Sequence, residues 1–124
     1  MTTLYGIKNC DTVRKARRWL DARGVDYRFH DLRADGLSAE QTARWCEACG
    51  WEQVLNRRGT TWRQLDGALK ATADAANAPA LLAEHPTLIK RPVLEHADRI
   101  RVGFNEADYS TLFGEDTPPN PPAP

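Results

Sequence analysis

Hydrophobic and polar residues follow a strand period, then a helical period and then a strand period again at the start of the chain. Residues 4–7 are short and apolar, and apolar residues from Val13 to Leu20 then recur at helical spacing until Gly24. Residues 25–32 alternate apolar and polar side chains, as a half-buried strand does. This order predicts two parallel strands joined by a right-handed helical crossover.

The middle of the chain is predicted to be helical. Ser38 and Gln41 have the spacing of a capping box, which opens a helix that Gly50 ends. Residues 62–69 and 71–84 are typical of further short helices, interrupted near a proline.

The last third of the chain returns to short apolar segments. It predicts three strands and a final helix, at 88–90, 93–95, 100–102 and 106–113. Residues 115–124 are rich in proline, which neither packs nor pairs well, and they predict a disordered tail.

Composition narrows the function classes. A chain of 124 residues suggests one domain, and 17 basic residues balance 17 acidic ones, so no net charge directs it to nucleic acid or an anionic membrane. There is neither an apolar run of membrane-spanning length nor the pattern of a secretory signal, and we expect a cytoplasmic protein. Three cysteines do not make a disulfide framework and indicate reduced thiols.

One of these cysteines, Cys10, lies where the first strand turns into the first helix. The first backbone N–H groups of a helix lack partners inside it and carry the positive end of its dipole, so they favour a thiolate. Lys8 adds a nearby positive charge, and the Thr12 hydroxyl can donate a hydrogen bond to the sulfur. The alternative is a small buried apolar residue, which is the usual role of an intracellular cysteine.

Three motifs carry a family resemblance. Residues 5–12 (YGIKNCDT), 56–63 (NRRGTTWR) and 88–94 (LIKRPVL) resemble the arsenate reductase (ArsC)/Spx family, and within it the YffB-type branch. The resemblance implies an α/β thioredoxin-like fold, a small mixed sheet flanked by helices, in a domain of residues 1–114 with a helical insertion at about 36–84. It also implies a nucleophilic cysteine and glutathione or glutaredoxin as the reductant, with no bound cofactor.

The resemblance carries over to individual residues. Cys10 corresponds to the nucleophile, Arg91 to an arginine that holds the oxyanion in arsenate reductases, and Pro92 to a proline that follows a cis peptide bond. Arg58 is a second candidate for the anion site, with Arg57 as the alternative in the same basic loop, and we expect one of the two to face Cys10.

The sequence departs from the arsenate reductase pattern at one position. Those enzymes have a further arginine after the strand that follows the Arg-Pro turn, whereas this chain has Val102, Gly103, Phe104 and Asn105 there. The ligand set for a free tetrahedral oxyanion is therefore incomplete, because a charge-assisted bidentate contact is missing.

Cys46 and Cys49 form a CxxC pair near the end of a predicted helix, where the helix dipole disfavours thiolates. No histidine has the spacing that would complete a zinc site, and we predict no metal. We interpret the pair as core or boundary residues, with a role in resolving a disulfide of Cys10 left open.

Position 13 is Val13, so Cys10 has no neighbouring cysteine with which to close a local disulfide. The predicted function is therefore a glutathione-dependent thiol reductase of the monothiol type, acting on a small-molecule or protein thiol substrate as a monomer. The alternatives are an arsenate reductase in the strict sense and an Spx-like regulator that binds RNA polymerase. We expect neither direct nucleic-acid binding nor membrane association.

Overall fold

The computed structural model describes residues 2–116. Its strands are β1 (Thr2–Gly6), β2 (Arg28–Asp31), β3 (Val93–His96) and β4 (Arg99–Val102). Its helices are α1 (Asp11–Ala22), α2 (Ala39–Cys49), α3 (Trp51–Val54), α4 (Thr60–Gln64), α5 (Gly67–Ala71), α6 (Ala78–Glu84) and α7 (Glu106–Asp116), with a 3₁₀ turn at Pro86–Leu88. The helices α2 to α6 all lie between β2 and β3.

The strands of the described residues form one mixed sheet in the order β2-β1-β3-β4. The pair β1 and β2 is parallel, with Leu4 opposite Phe29, which confirms the predicted βαβ unit. The pairs β1 with β3 and β3 with β4 are antiparallel, with Leu4 opposite Leu94 in the first. The central position of β1 places its carboxyl end, and the turn that carries Cys10, in the middle of the molecule.

Each face of the sheet is covered by its own core, because successive side chains of a strand point to opposite faces. Leu4 and Leu94 pack with residues of α1 and α7, including Leu20 and Tyr109. Tyr5 and Val93 point the other way and pack with residues of the α2 to α6 segment, which are Trp45, Val54, Leu81 and Leu82 among others. The two cores hold α1 and the helical segment on opposite sides of β1.

A polar network crosses the second core. The fully buried Trp45 donates its indole N–H to Glu95 Oε2 at 2.7 Å, and Tyr5 donates its hydroxyl to Glu95 Oε1 at 2.8 Å. Burial, together with the hydrogen bond to Glu95, raises the pKa of Tyr5 to about 12. Both oxygens of this half-buried carboxylate thus accept hydrogen bonds, which offsets the cost of removing it from water.

The predicted ends of α2 are confirmed. The Gln41 backbone N–H donates to Ser38 Oγ at 3.2 Å, and the Ser38 N–H donates to Gln41 Oε1 at 3.2 Å, which is the reciprocal pattern of a capping box. Gly50 ends the helix with a φ of 88°, a conformation that favours glycine.

Other predicted elements need correction. The strand expected at 25–32 pairs only over Arg28–Asp31, because the Val25 N–H instead donates to Leu20 O at the end of α1. Residues 88–90 are not a strand of the sheet: Ile89 makes an isolated antiparallel bridge to Leu55. The helix predicted at 106–113 continues to Asp116, and residues 117–124 of the predicted tail lie outside the described residues. No helix in residues 2–116 is long and apolar enough to cross a membrane.

Candidate active site

Cys10 is the N-cap residue of α1. Its φ of −110° and ψ of 124° are extended, as is usual for an N-cap, and its carbonyl oxygen accepts the first helical hydrogen bond from the Arg14 N–H at 3.0 Å. Among the described residues its side chain makes no capping hydrogen bond to the helix. The half-buried sulfur is thus left free of the backbone at the helix start.

A cavity of about 460 Å³ opens at this sulfur. Cys10 and Thr12 from the first motif and Arg91 from the third all line it. The structure thus brings the predicted nucleophile and the predicted anion-binding arginine to one cavity. The Lys8 side chain is exposed and does not line this cavity. Its positive charge acts on the Asp31 carboxylate. The contribution of Lys8 and Thr12 to the thiolate stays a prediction.

Arg91 is held from behind by the chain that precedes it. Its Nη1 donates to Thr87 O at 3.2 Å, and its buried Nε has no hydrogen-bond partner among the described residues. The Arg91–Pro92 peptide bond is cis, as the resemblance implies, and Pro92 is buried. The Pro92 carbonyl accepts from the Gly103 N–H at 2.8 Å, which fixes the segment after β4 to this turn. A half-buried guanidinium that borders the cavity is suited to an anionic group.

Four polar residues of the cavity wall were not identified from the sequence: Asn56, Lys90, Asn105 and Asp108. Asn105 caps the other helix that begins here, since its Oδ1 accepts from the Asp108 N–H at 3.0 Å at the start of α7. The Asp108 carboxylate pairs with Arg101 at 3.2 Å, which reduces its repulsion of an anion. The cavity at the thiol is therefore lined by one lysine cation, one arginine cation and one paired carboxylate.

Arg58 and the alternative Arg57 are not among the residues that line the Cys10 cavity. Both line an adjoining cavity of about 330 Å³, which shares Asn56 and Lys90 with the first. The loop turns at Asn56, whose Oδ1 accepts from the Arg58 N–H at 3.1 Å, and the Arg57 guanidinium lies over the Trp51 ring at 5.1 Å. A role for Arg58 in anion binding stays a prediction.

Cys46 and Cys49 pack at the edge of the second core, which confirms their interpretation as core or boundary residues. Burial and the neighbouring Cys49 raise the pKa of the Cys46 thiol. Burial also raises the pKa of Cys49, which the positive charge of Arg101 partly opposes, and Cys49 Sγ donates to Ile100 O at 3.5 Å. Within the described residues, no three histidine, cysteine or acidic side chains are grouped so as to hold a metal ion.

At pH 7, iodoacetamide should alkylate Cys10 at least about ten times faster than Cys46 or Cys49. Cys10 lines an open cavity, whereas burial keeps the other two thiols protonated, and each unit of pKa changes the thiolate population about tenfold. Peptide mapping after timed quenching measures each rate in one sample. The difference should narrow as the pH rises and the buried thiols ionise; equal rates at pH 7 contradict this assignment.

The fold and the site together define a class. A mixed sheet of order β2-β1-β3-β4, a thiol at the N-cap of the first helix and a cis-proline turn beside the same cavity are those of an α/β protein with a thioredoxin-like fold, as the resemblance implies. The chain belongs to the ArsC family, whose profile matches residues 5–112.

Known relatives agree with this placement. The solved structure of a YFFB protein superposes with a TM-score of 0.87 at 51% identity, covering 90% of this chain and 97% of that one. An arsenate reductase (ArsC) related protein from Brucella melitensis gives a TM-score of 0.69 at 48% identity, covering 90% and 93%. The global transcriptional regulator Spx of Streptococcus pyogenes is 27% identical over 94% of this chain and 87% of its own. The ArsC/Spx resemblance, with its YffB-type branch, is confirmed.

Proposed function

We propose that this protein is a glutathione-dependent thiol reductase that uses Cys10 as its single reacting thiol. The observation that carries the proposal is the open cavity in which Cys10 meets the half-buried Arg91. Position 13, in the next turn of the helix, holds Val13 and not a second cysteine. The Val13 side chain is 1% exposed and packs against Gly6. The proposal therefore takes the reducing thiol from another molecule.

The proposed reaction consists of two thiol–disulfide exchanges. The Cys10 thiolate attacks one sulfur of a substrate disulfide, so that a Cys10–sulfur bond forms and the other sulfur leaves as a thiolate, which takes up a proton. When the adduct carries glutathione, a second glutathione thiolate, or the thiol of a glutaredoxin, attacks the glutathionyl sulfur and releases Cys10. Together, a glutathionylated disulfide and one glutathione (or glutaredoxin) thiol give a free substrate thiol and a new disulfide, and no bound cofactor is required.

Arg91 is the residue we propose to orient the anionic substrate. Its Nη1 donates to the Thr87 carbonyl, and the guanidinium borders the cavity. A charge-assisted hydrogen bond from this group to a carboxylate holds glutathione without making a bond to the reacting sulfur. Cys10 thus supplies the reacting thiolate, and Arg91 binds the anionic part of the substrate.

Oxidised glutathione should convert the protein to a species heavier by one glutathionyl group, as measured by intact-mass spectrometry. Arg91→Ala should slow this reaction about tenfold, because it removes a charge-assisted contact. The same variant should react almost normally with 2-hydroxyethyl disulfide, which carries no charge.

The matched control is Arg18→Ala, which removes an exposed arginine of α1 that lies outside the cavity and should leave both rates unchanged. An internal disulfide from Cys10 to Cys46 or Cys49, with no retained glutathione, would refute the single-thiol mechanism. A wild-type protein that forms no adduct at all would refute the proposed function.

Arsenate should be a poor substrate. Gly103 has a φ of 82°, which strains any side chain there, and Phe104 is packed edge-on against Tyr109 at 4.9 Å, so neither position readily holds the missing arginine. Loss of such a contact lowers affinity for a tetrahedral oxyanion several-fold or more. A coupled NADPH assay with glutathione and glutaredoxin measures this, and efficient arsenate turnover would contradict it.

The similarity to Spx favours a second candidate, a transcriptional regulator. A regulator of this kind acts through its surface and has no need of a charged cavity around a thiol, so we place this function second. If it is the main function, RNA polymerase should copurify with the tagged protein from cell extract, and Cys10→Ser should copurify it equally well.

A further inference from the structure

Lys90 lies where the two cavities meet. Two backbone hydrogen bonds fix its place: the Lys90 N–H donates to Val54 O, and the Asn56 N–H donates to Leu88 O, each at 2.7 Å. This short ladder places Lys90 opposite Val54 and Asn56 opposite Leu88, diagonally across the Leu55–Ile89 bridge. Lys90 and Asn56 both line the Cys10 cavity and the adjoining cavity.

The Lys90 side chain extends over Gly103. A Cβ atom added to Gly103 would lie 3.6 Å from Lys90 Cε, an ordinary van der Waals contact, so the lysine stem lies against this position. Lys90 therefore supplies a positive charge next to the position at which an arginine is missing. A lysine ammonium is a compact charge on a flexible stem, and it binds an anionic group such as a carboxylate without the planar fork of a guanidinium.

The surroundings of the thiol are asymmetric in charge. On the Lys90 side, the adjoining cavity carries Arg57 and Arg58 against a single acidic residue, Glu52. On the opposite side, a third cavity shares Thr12, Phe104 and Asn105 with the first and carries one cation, Lys15, and one anion, Glu106. The two ends of glutathione differ in the same way: the glycine end is a carboxylate alone, and the γ-glutamyl end has both a carboxylate and an ammonium group.

We propose that Lys90 and the Asn56 amide join Arg91 in binding the glycine carboxylate of glutathione while its sulfur lies at Cys10. The γ-glutamyl end then lies toward Lys15 and Glu106, where its two charges meet opposite ones. The inference rests on the proposed glutathione-dependent function and adds to it the direction in which the tripeptide lies.

The test compares three disulfides on each variant by the rate of adduct formation: oxidised glutathione, the disulfide of glutathione ethyl-esterified at glycine, and 2-hydroxyethyl disulfide. Lys90→Gln should slow the reaction of oxidised glutathione about three- to fivefold, the size expected for an exposed ion pair. The same substitution should change the rates of the other two disulfides by less than about 1.5-fold. Esterification alone should slow the wild type by at least the same factor.

Lys70→Gln is the matched control, because Lys70 lies over the Trp62 ring, 6.0 Å from its centroid, and outside these cavities. It should leave all three rates unchanged, and Lys90→Arg should retain most of the wild-type preference. Equal slowing of all three disulfides by Lys90→Gln, or no slowing of oxidised glutathione, overturns the assignment while leaving the proposed function in place. Failure of the wild type to form any adduct with glutathione overturns both.

Discussion

Cys10→Ser should lower the rate of thiol–disulfide exchange by at least about a thousandfold, because loss of a nucleophile removes the step on which the rest of the reaction depends. A serine hydroxyl does not ionise near neutral pH and does not attack a disulfide. The measurement is the rate of glutathionylation or of coupled turnover, compared with wild type at equal protein concentration.

The same substitution should not destabilise the protein. Position 10 has the extended backbone of an N-cap, and serine is a preferred N-cap residue, whereas the cysteine makes no capping hydrogen bond here. We expect the free energy of unfolding to stay equal or to rise by up to about 1 kcal/mol. Cys46→Ser is the control for loss of a thiol as such and should keep the exchange activity. Substantial activity in a folded Cys10→Ser variant would show that another group is the nucleophile.

Trp45→Ala should lower the free energy of unfolding by about 3–5 kcal/mol, which is a large share of the total stability of a small domain. Trp45 is fully buried, packs edge-on against Tyr5 at 4.8 Å and donates to Glu95. Alanine leaves a cavity and also leaves one oxygen of a half-buried carboxylate without its donor. Chemical denaturation followed by circular dichroism measures the loss.

Trp45→Phe separates the two contributions, since it keeps most of the ring and removes only the N–H donor, at an expected cost of about 1–3 kcal/mol. Trp62→Ala is the matched control, because Trp62 is only partly buried and should cost less than half as much as Trp45→Ala. Equal losses of unfolding free energy for Trp45→Ala and Trp62→Ala would mean that the buried network of Trp45, Glu95 and Tyr5 makes no extra contribution to stability.

The parts of the fold that were predictable from sequence are those determined by neighbouring residues. The capping box of Ser38 and Gln41 and the end of α2 at Gly50 depend on local hydrogen bonds and on one backbone angle, and both are confirmed. The short helix α3, Trp51–Val54, was missed because it begins immediately after that glycine and has no capping signal of its own. Residues 88–90 resemble a strand, yet their bonding depends on Leu55, which is distant in the chain.

The site residues also divide into those that the local sequence identifies and those that depend on contacts with distant residues. The motifs identified Cys10 and Arg91 and the cis bond before Pro92, and the structure brings the first two to one cavity. Asn56 and Lys90 were missed, and the sequence left open whether Arg57 or Arg58 faces the thiol, since these positions depend on how the 56–58 loop docks on the chain before Arg91. That docking is a long-range contact with no local sequence pattern.

The bridge between Leu55 and Ile89 also bears on the dynamics of the site. It is isolated from the sheet, and the two hydrogen bonds around it join the helical segment to the residues before Arg91. Short pairings of this kind open at a lower free energy than the strands of a central sheet, so the amide hydrogens of Asn56 and Lys90 should exchange with solvent earlier than those of β1 and β3. Each opening would separate the two walls of the site. The fraction of time for which the cavity is assembled is therefore set by the Leu55–Ile89 bridge, whose residues do not line the Cys10 cavity.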